Sequence, residues 1–128
     1  MRSEAEVVNY LKRKRTSPQD ITSTINKLKD LKFVDDLKFC SWWQESRDRN
    51  HPVGARVLQQ ELHQKGVPRE IISQVIDVNR DTEFNRAHQA LAKKRYVADP
   101  VSFLARRGFS WEVISLTTKD LQGTIEDR

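Results

Sequence analysis

The sequence of 128 residues holds one cysteine, Cys40, so no disulfide can form within the chain. Glycine and proline occur only four times each, which argues against long irregular loops. No apolar run approaches the ~20 residues of a membrane helix. The opening Met1-Arg2-Ser3-Glu4 is polar and has no signal-peptide character, so a cytoplasmic protein is expected. The three histidines, His51, His63 and His88, are scattered, and no His-x3-His or Cys-x2-Cys spacing occurs. A zinc site is therefore not expected. Gly-x-Gly-x-x-Gly, a Walker loop and Gly-x-Ser-x-Gly are all missing. The sequence thus points away from an enzyme, and no cofactor is expected. Cys40 lies in Phe39-Cys40-Ser41-Trp42-Trp43 and reads as a small core residue rather than a reactive thiol.

What the chain has instead is charge. Lysine and arginine number 23 against 18 acidic residues, giving a net charge of +5. The isoelectric point is about 9.6 and the mean hydropathy −0.74. A basic balance favours polyanionic partners, above all nucleic acid. Hydrophobic residues make up only 37%, which suits thin helical stacks whose helices stay largely exposed.

One phrase occurs twice. Leu62-His63-Gln64-Lys65-Gly66-Val67-Pro68-Arg69-Glu70-Ile71-Ile72 returns as Leu104-Ala105-Arg106-Arg107-Gly108-Phe109-Ser110-Trp111-Glu112-Val113-Ile114. Gly66 and Gly108 are 108 − 66 = 42 residues apart. Each copy reads as helix end, glycine stop, turn, acidic helix start and apolar pair. That period signals stacked helical units.

Helix signals fill the rest. A first helix spans about 3–14. Ser17 caps a second, with Pro18 at its first position, Asp20 at the capping-box position, and Ile21, Ile25, Leu28 and Leu31 on one stripe. Asp35 caps a third, flanked by Val34 and Phe39 as a hydrophobic staple. After Asn50-His51-Pro52-Val53-Gly54, a helix runs to Lys65 and stops at Gly66. Pro68 starts the next, with Ile71, Ile72, Val75 and Ile76 inward. Asp81 caps another, with Phe84, Ala87 and Leu91 inward. Asp99-Pro100 and Ser110 start the last two, the final helix carrying Trp111, Val113, Ile114 and Leu116. The expected architecture is all-α: tandem three-helix repeats stacked into an elongated, curved array. Repeat 1 covers 3–49, repeat 2 covers 50–96, and an incomplete repeat 3 covers 97–121. Residues 122–128 read as a frayed tail.

Basic groups recur near the helix ends: Lys12-Arg13-Lys14-Arg15, Arg47 with Arg49, Lys65 with Arg69, Lys93-Lys94-Arg95, and Arg106-Arg107. Aligned by stacking, they would form a stripe able to track a phosphate backbone or an acidic protein groove. The blander reading is that each cluster caps a helix C-terminus and keeps the chain soluble. Asp35-Asp36 reads as a cap rather than an acidic active site. Phe33, Phe39, Trp43, Phe84, Phe103 and Phe109 fall mostly at core spacing. Trp42 cannot share a helix face with Trp43; it is either exposed for contact or, the preferred reading, buried between units.

The run Val34-Asp35-Asp36-Leu37-Lys38-Phe39, then Arg47, Pro52-Val53-Gly54, Leu58, Glu61-Leu62, Lys65-Gly66-Val67 and Ile71, resembles the central signature of the RecX family. Arg106-Arg107-Gly108-Phe109-Ser110 resembles its C-terminal repeat. The likeness spans about 3–116. Cys40 departs from the family's usual alanine, the second tryptophan is unusual, and the first repeat has a short lead. The resemblance implies a non-enzymatic regulator that binds the RecA recombinase filament on single-stranded DNA and restrains its activities. It further implies a monomer, with single-stranded DNA contacted directly or through RecA. Arg47, Arg49, Lys65, Arg69, Lys93, Lys94, Arg95, Arg106 and Arg107 are then the candidate contacts to RecA or DNA. The alternative is an autonomous nucleic-acid binder, with Leu58–Ile76 as a helix-turn-helix. Its second helix would turn mainly Arg69, Glu70, Ser73 and Gln74 outward, which is meagre for base reading.

Overall fold

A computed structural model describes residues 1–94 and 96–126. The described residues form eight α-helices and no strand: α1 (Glu4–Arg13), α2 (Pro18–Asp30), α3 (Asp36–Asn50), α4 (Ala55–Gln64), α5 (Arg69–Val75), α6 (Arg80–Ala92), α7 (Pro100–Arg106) and α8 (Trp111–Glu126). They pack as two compact units. One holds 1–43 with 60–76, the other 44–59 with the chain from Asp77 onward. The boundary falls inside α3 and inside α4, so each of these helices contributes to both.

In the first unit, Ser3 closes a full capping box. Its Oγ accepts from the Glu6 N–H at 3.2 Å, and the Glu6 carboxylate accepts from the Ser3 N–H at 3.1 Å. The same Oγ–H donates to the Lys65 carbonyl at 2.7 Å, so the start of α1 is tied to the end of α4. Ser17 caps α2 through the Asp20 N–H, as expected. Asp35 caps α3, accepting from the Leu37 and Lys38 N–H groups. Val34 and Phe39, the staple pair, are both buried. So are Ile21, Ile25, Cys40, Leu62, Val67, Ile72 and Ile76. The expected α2 stripe is shorter than its spacing suggests. Leu31 is exposed, because it already belongs to the turn that ends the helix. Phe33 is 72% exposed and Trp42 is 37% exposed, against the expectation that both are inward. Trp42 instead stands beside Phe39, with ring centroids 6.0 Å apart.

In the second unit, α6, α7 and α8 enclose a core of Ala87, Ala90, Leu104, Phe109, Val113 and Ile114, with Leu91 and Phe103 against it. Three expectations need correction here. Asn79, not Asp81, caps α6: its side chain accepts from the Asp81 N–H at 2.8 Å. Of the expected inward residues of α6, Ala87 is buried and Leu91 packs against the core, but Phe84 is only half-buried and the fully buried face also takes in Glu83, Arg86 and Ala90, because an ion cluster occupies its centre. Helix α8 continues to Glu126 rather than ending near Leu121, since Gly123 keeps ordinary helical geometry and no proline stops it. On α8, Val113 and Ile114 are buried while Trp111 and Leu116 are exposed. Ser110 does cap α8 through the Val113 N–H, and Asp99 caps α7 through the Ser102 N–H.

Candidate functional site

Three helices of the second unit end in cations. Helix α3 has Arg47 and Arg49 in its last turn, α6 is followed by Lys93 and Lys94, and α7 ends in Arg106 followed by Arg107. Each helix presents its negative pole there, which favours these charges locally. Tertiary contacts then gather them. Lys93 Nζ donates to the Arg49 carbonyl at 2.6 Å. Arg107 Nη1 donates to the Pro52 carbonyl at 3.0 Å, and its guanidinium lies 4.7 Å above the Phe103 ring. Burial pushes the Arg107 guanidinium below its ordinary range, and the neighbouring charge of Arg47 pushes it the same way.

Two recesses open among these residues. One of about 130 Å³ is lined by Asn50, His51, Pro52, Ala90, Lys93, Lys94 and Arg107. The other, of about 450 Å³, is lined by Lys94, Tyr96, Val97, Ala98, Asp99, Ser102, Phe103 and Arg106. Lys94 borders both. The structure therefore brings Arg47, Arg49, Lys93, Lys94, Arg106 and Arg107 into one region of this unit.

Lys65 and Arg69 belong to the other unit. Lys65 is half-buried, 3.4 Å from the Glu6 carboxylate and 5.4 Å from the centre of the Trp43 ring. Arg69 is exposed at the first residue of α5, where a cation opposes the helix dipole. Its charge is thus not explained by capping. Arg95 lies outside the described residues.

Sequence reasoning missed a buried ion cluster in the second unit. Arg86, with a side chain 4% exposed, donates to Asp48 at 3.1 Å, to Glu83 at 2.8 Å and to the Asp77 carbonyl at 3.1 Å. Both Glu83 oxygens accept from the Ala55 N–H at 3.0 Å, which caps α4 from outside. The only signal in the text was Glu83-x-x-Arg86, which looks like an ordinary surface pair. Nor did the sequence single out Trp111, which is 71% exposed.

The remaining candidates are structural. Asp36 Oδ1 accepts from the Glu4 N–H at 3.0 Å, so both members of the acidic pair hold helix starts. Cys40 is fully buried, and burial followed by Asp36 pushes its thiol up to about 11, which keeps it unreactive. Among the described residues no group of three metal-ligating side chains occurs, and no helix is long and apolar enough to cross a membrane.

Comparison with known proteins places these features in a family. A profile described as the RecX second three-helix domain matches residues 35–76. That window holds α3, α4 and α5, and so straddles the limit at 49/50 of the expected repeats. The regulatory protein RecX of Listeria welshimeri is 32% identical over 98% of this chain and 51% of its own length. The RecX of Geobacillus thermodenitrificans is 30% identical over 99% of this chain and 51% of its own length. The chain thus spans about half the length of the curated relatives it matches. In structure it is similar to RecX from Lactobacillus salivarius, with a TM-score of 0.79 at 19% identity over 95% of this chain and 86% of that one. A further RecX crystal structure gives a TM-score of 0.79 at 21% identity, covering 93% of this chain and 65% of that one. The chain belongs to the RecX family of regulatory proteins.

Proposed function

We propose that the chain, as a monomer in the cytoplasm, binds the RecA recombinase filament on single-stranded DNA and restrains strand exchange, ATP hydrolysis and coprotease activity. It acts by occupying the filament, not by catalysis. The observation that carries the reading is the convergence of cations at three helix C-termini in a chain of this family. Arg47, Arg49, Lys93, Lys94, Arg106 and Arg107 supply charge for the DNA backbone or an acidic protein face, with Lys65 and Arg69 as a second group. Any change in ATP hydrolysis belongs to the recombinase, since this chain has no nucleotide-binding loop.

The test is co-sedimentation with RecA, single-stranded DNA and a slowly hydrolysed ATP analogue, beside DNA alone at several salt concentrations. Retention on the filament beyond that on bare DNA is the expected result. Equal and steeply salt-dependent binding to any DNA would instead make it an autonomous binder. No association with the filament would end the proposal.

A further inference from the structure

On the second unit, the Pro52–Ala55 segment crosses the Arg107–Phe109 segment in direct backbone contact. The Gly54 N–H donates to the Arg107 carbonyl at 2.7 Å, and a Cβ on Gly54 would overlap the Gly108 carbonyl. The cationic recess of Lys93, Lys94 and Arg107 includes Pro52 in its lining, on one part of this crossing. Ala55, Gly108 and Phe109 instead line an apolar groove of about 550 Å³. Val78 and Trp111, 63% and 71% exposed, also line it. Helix α8 does not need this ring for folding, because it buries Val113, Ile114 and Thr117. A large ring left in water beside a preformed apolar groove calls for a ligand.

The charges around the groove restrict that ligand. Its two carboxylates are engaged: Glu112 by Arg80 at 2.9 Å, and Glu83 inward by Arg86 and the Ala55 N–H. Arg56 stands exposed on the rim, and Asp81 adjoins Arg80. The groove's own charges thus balance and it suits a flat apolar face, while the cations for an anionic part of the ligand stand at the neighbouring recess of Lys93, Lys94 and Arg107. Trp111 is four positions on from Arg107, so their Cα atoms are at most about 14 Å apart. Stacked nucleotides advance about 3.4 Å each, so a run of roughly four bridges the two sites.

We propose that Trp111 is a stacking platform for an unpaired nucleobase of a strand whose phosphates lie against Lys93, Lys94 and Arg107. This rests on the reading that the chain works on single-stranded DNA, and adds that it contacts the bases itself. Stacking needs a free base face, which a duplex does not offer, so Trp111 confers preference for single strands. No base is favoured, because every base has a π-face.

The test uses the whole chain and its Trp111→Ala and Trp111→Phe variants. Each is titrated with an oligothymidylate, with an abasic strand of equal length and with a duplex, and tryptophan emission and affinity are followed. The wild type should show quenching with the oligothymidylate. Trp111→Ala should lose the larger part of that quenching and bind the oligothymidylate about tenfold more weakly. Its affinity for the abasic strand should not change, and Trp111→Phe should restore much of the loss. Equal weakening on both strands, or none on either, overturns the proposal. So does a wild type that binds neither strand, even if it still joins the recombinase filament, in which case the family reading survives alone. Loss of filament binding with intact strand binding in Trp111→Ala would make the groove a protein contact and also overturns it.

Discussion

Arg86 shows how far a single side chain can organise its surroundings. It satisfies Glu83 and Asp48 together, and through Glu83 it holds the first turn of α4. Burial raises the Asp48 carboxyl above its ordinary range, and Arg86 is the charge that opposes this rise. Replacing it with alanine leaves the buried Glu83 and the partly exposed Asp48 without their cation. Arg86→Ala should lose about 3–5 kcal/mol of stability, read from urea unfolding near neutral pH. Arg86→Lys should recover only part, since an ammonium cannot reproduce the planar fork. The pH dependence follows in sign. Without Arg86 the folded Asp48 carboxyl rises further, so the folded state takes up protons before the unfolded chain does. The deficit should therefore shrink as pH falls from 7 toward the ordinary carboxylate range. A loss under about 1 kcal/mol, or one that widens in acid, would contradict this account.

At the scale of elements, four helices end in the same way. After α4 the Val67 N–H donates to the Leu62 carbonyl and the Gly66 N–H to that of His63. After α7 the Phe109 and Gly108 N–H groups reach Leu104 and Ala105 in the same pattern. Both glycines have φ above +80°, which makes each a Schellman stop. Helices α1 and α2 use the identical bonds, from Thr16 to Leu11 and Arg15 to Lys12, and from Phe33 to Leu28 and Lys32 to Lys29. Here the left-handed residues are Arg15 and Lys32, each at φ 60°. The glycine stops were legible in the sequence because glycine advertises the conformation. The other two were not, because a lysine or arginine there looks like any helix-end cation. The same logic explains Asp35, Ser17, Asp99 and Ser110, whose short polar side chains announced their caps, and Ser3, whose cap was hidden in the polar opening. It also explains Phe33 and Trp111: they sit one residue beyond a left-handed stop and at the first residue of a helix, where periodicity no longer dictates a face. A left-handed backbone costs a side-chain-bearing residue about 1–2 kcal/mol, part of which glycine gives back as unfolded-state entropy. Lys32→Gly should therefore raise stability by about 0.5–1 kcal/mol. Gly108→Ala should lower it by more than about 2 kcal/mol, because a Cβ there also overlaps Val57. Thermal unfolding of the two variants should move in opposite directions, and movement in the same direction would refute the assignment.

For the whole molecule, the net charge of +5 matters less than where the cations are held. Sequence alone named the clusters at the ends of α3, α6 and α7, because each is contiguous in the text. It did not show that they share one region, because Lys93 reaches Arg49, and Arg107 reaches Pro52, only through tertiary contacts. Those contacts also divide the cluster by role. Lys93 and Arg107 donate to carbonyls of the last turn of α3 and of the α3–α4 connection, so their replacement disturbs folding and binding together. Lys94 and Arg106 are exposed around the second recess, with Asp99 as the nearby acid. They are the residues through which surface charge can be altered cleanly. The double variant Lys94→Glu, Arg106→Glu should keep the wild-type melting temperature to within a few degrees, since exposed ion pairs contribute little. Its binding to the DNA-loaded filament should weaken most at low salt, where screening is least. If each cation neutralises one phosphate, the slope of log affinity against log salt should flatten by about 1.4, or 0.7 per lost contact on a single strand. A weaker affinity with an unchanged slope would mean that these two residues meet protein rather than phosphate. Unchanged affinity at every salt concentration would remove them from the interface and leave the cluster's charge to Arg47, Arg49, Lys93 and Arg107.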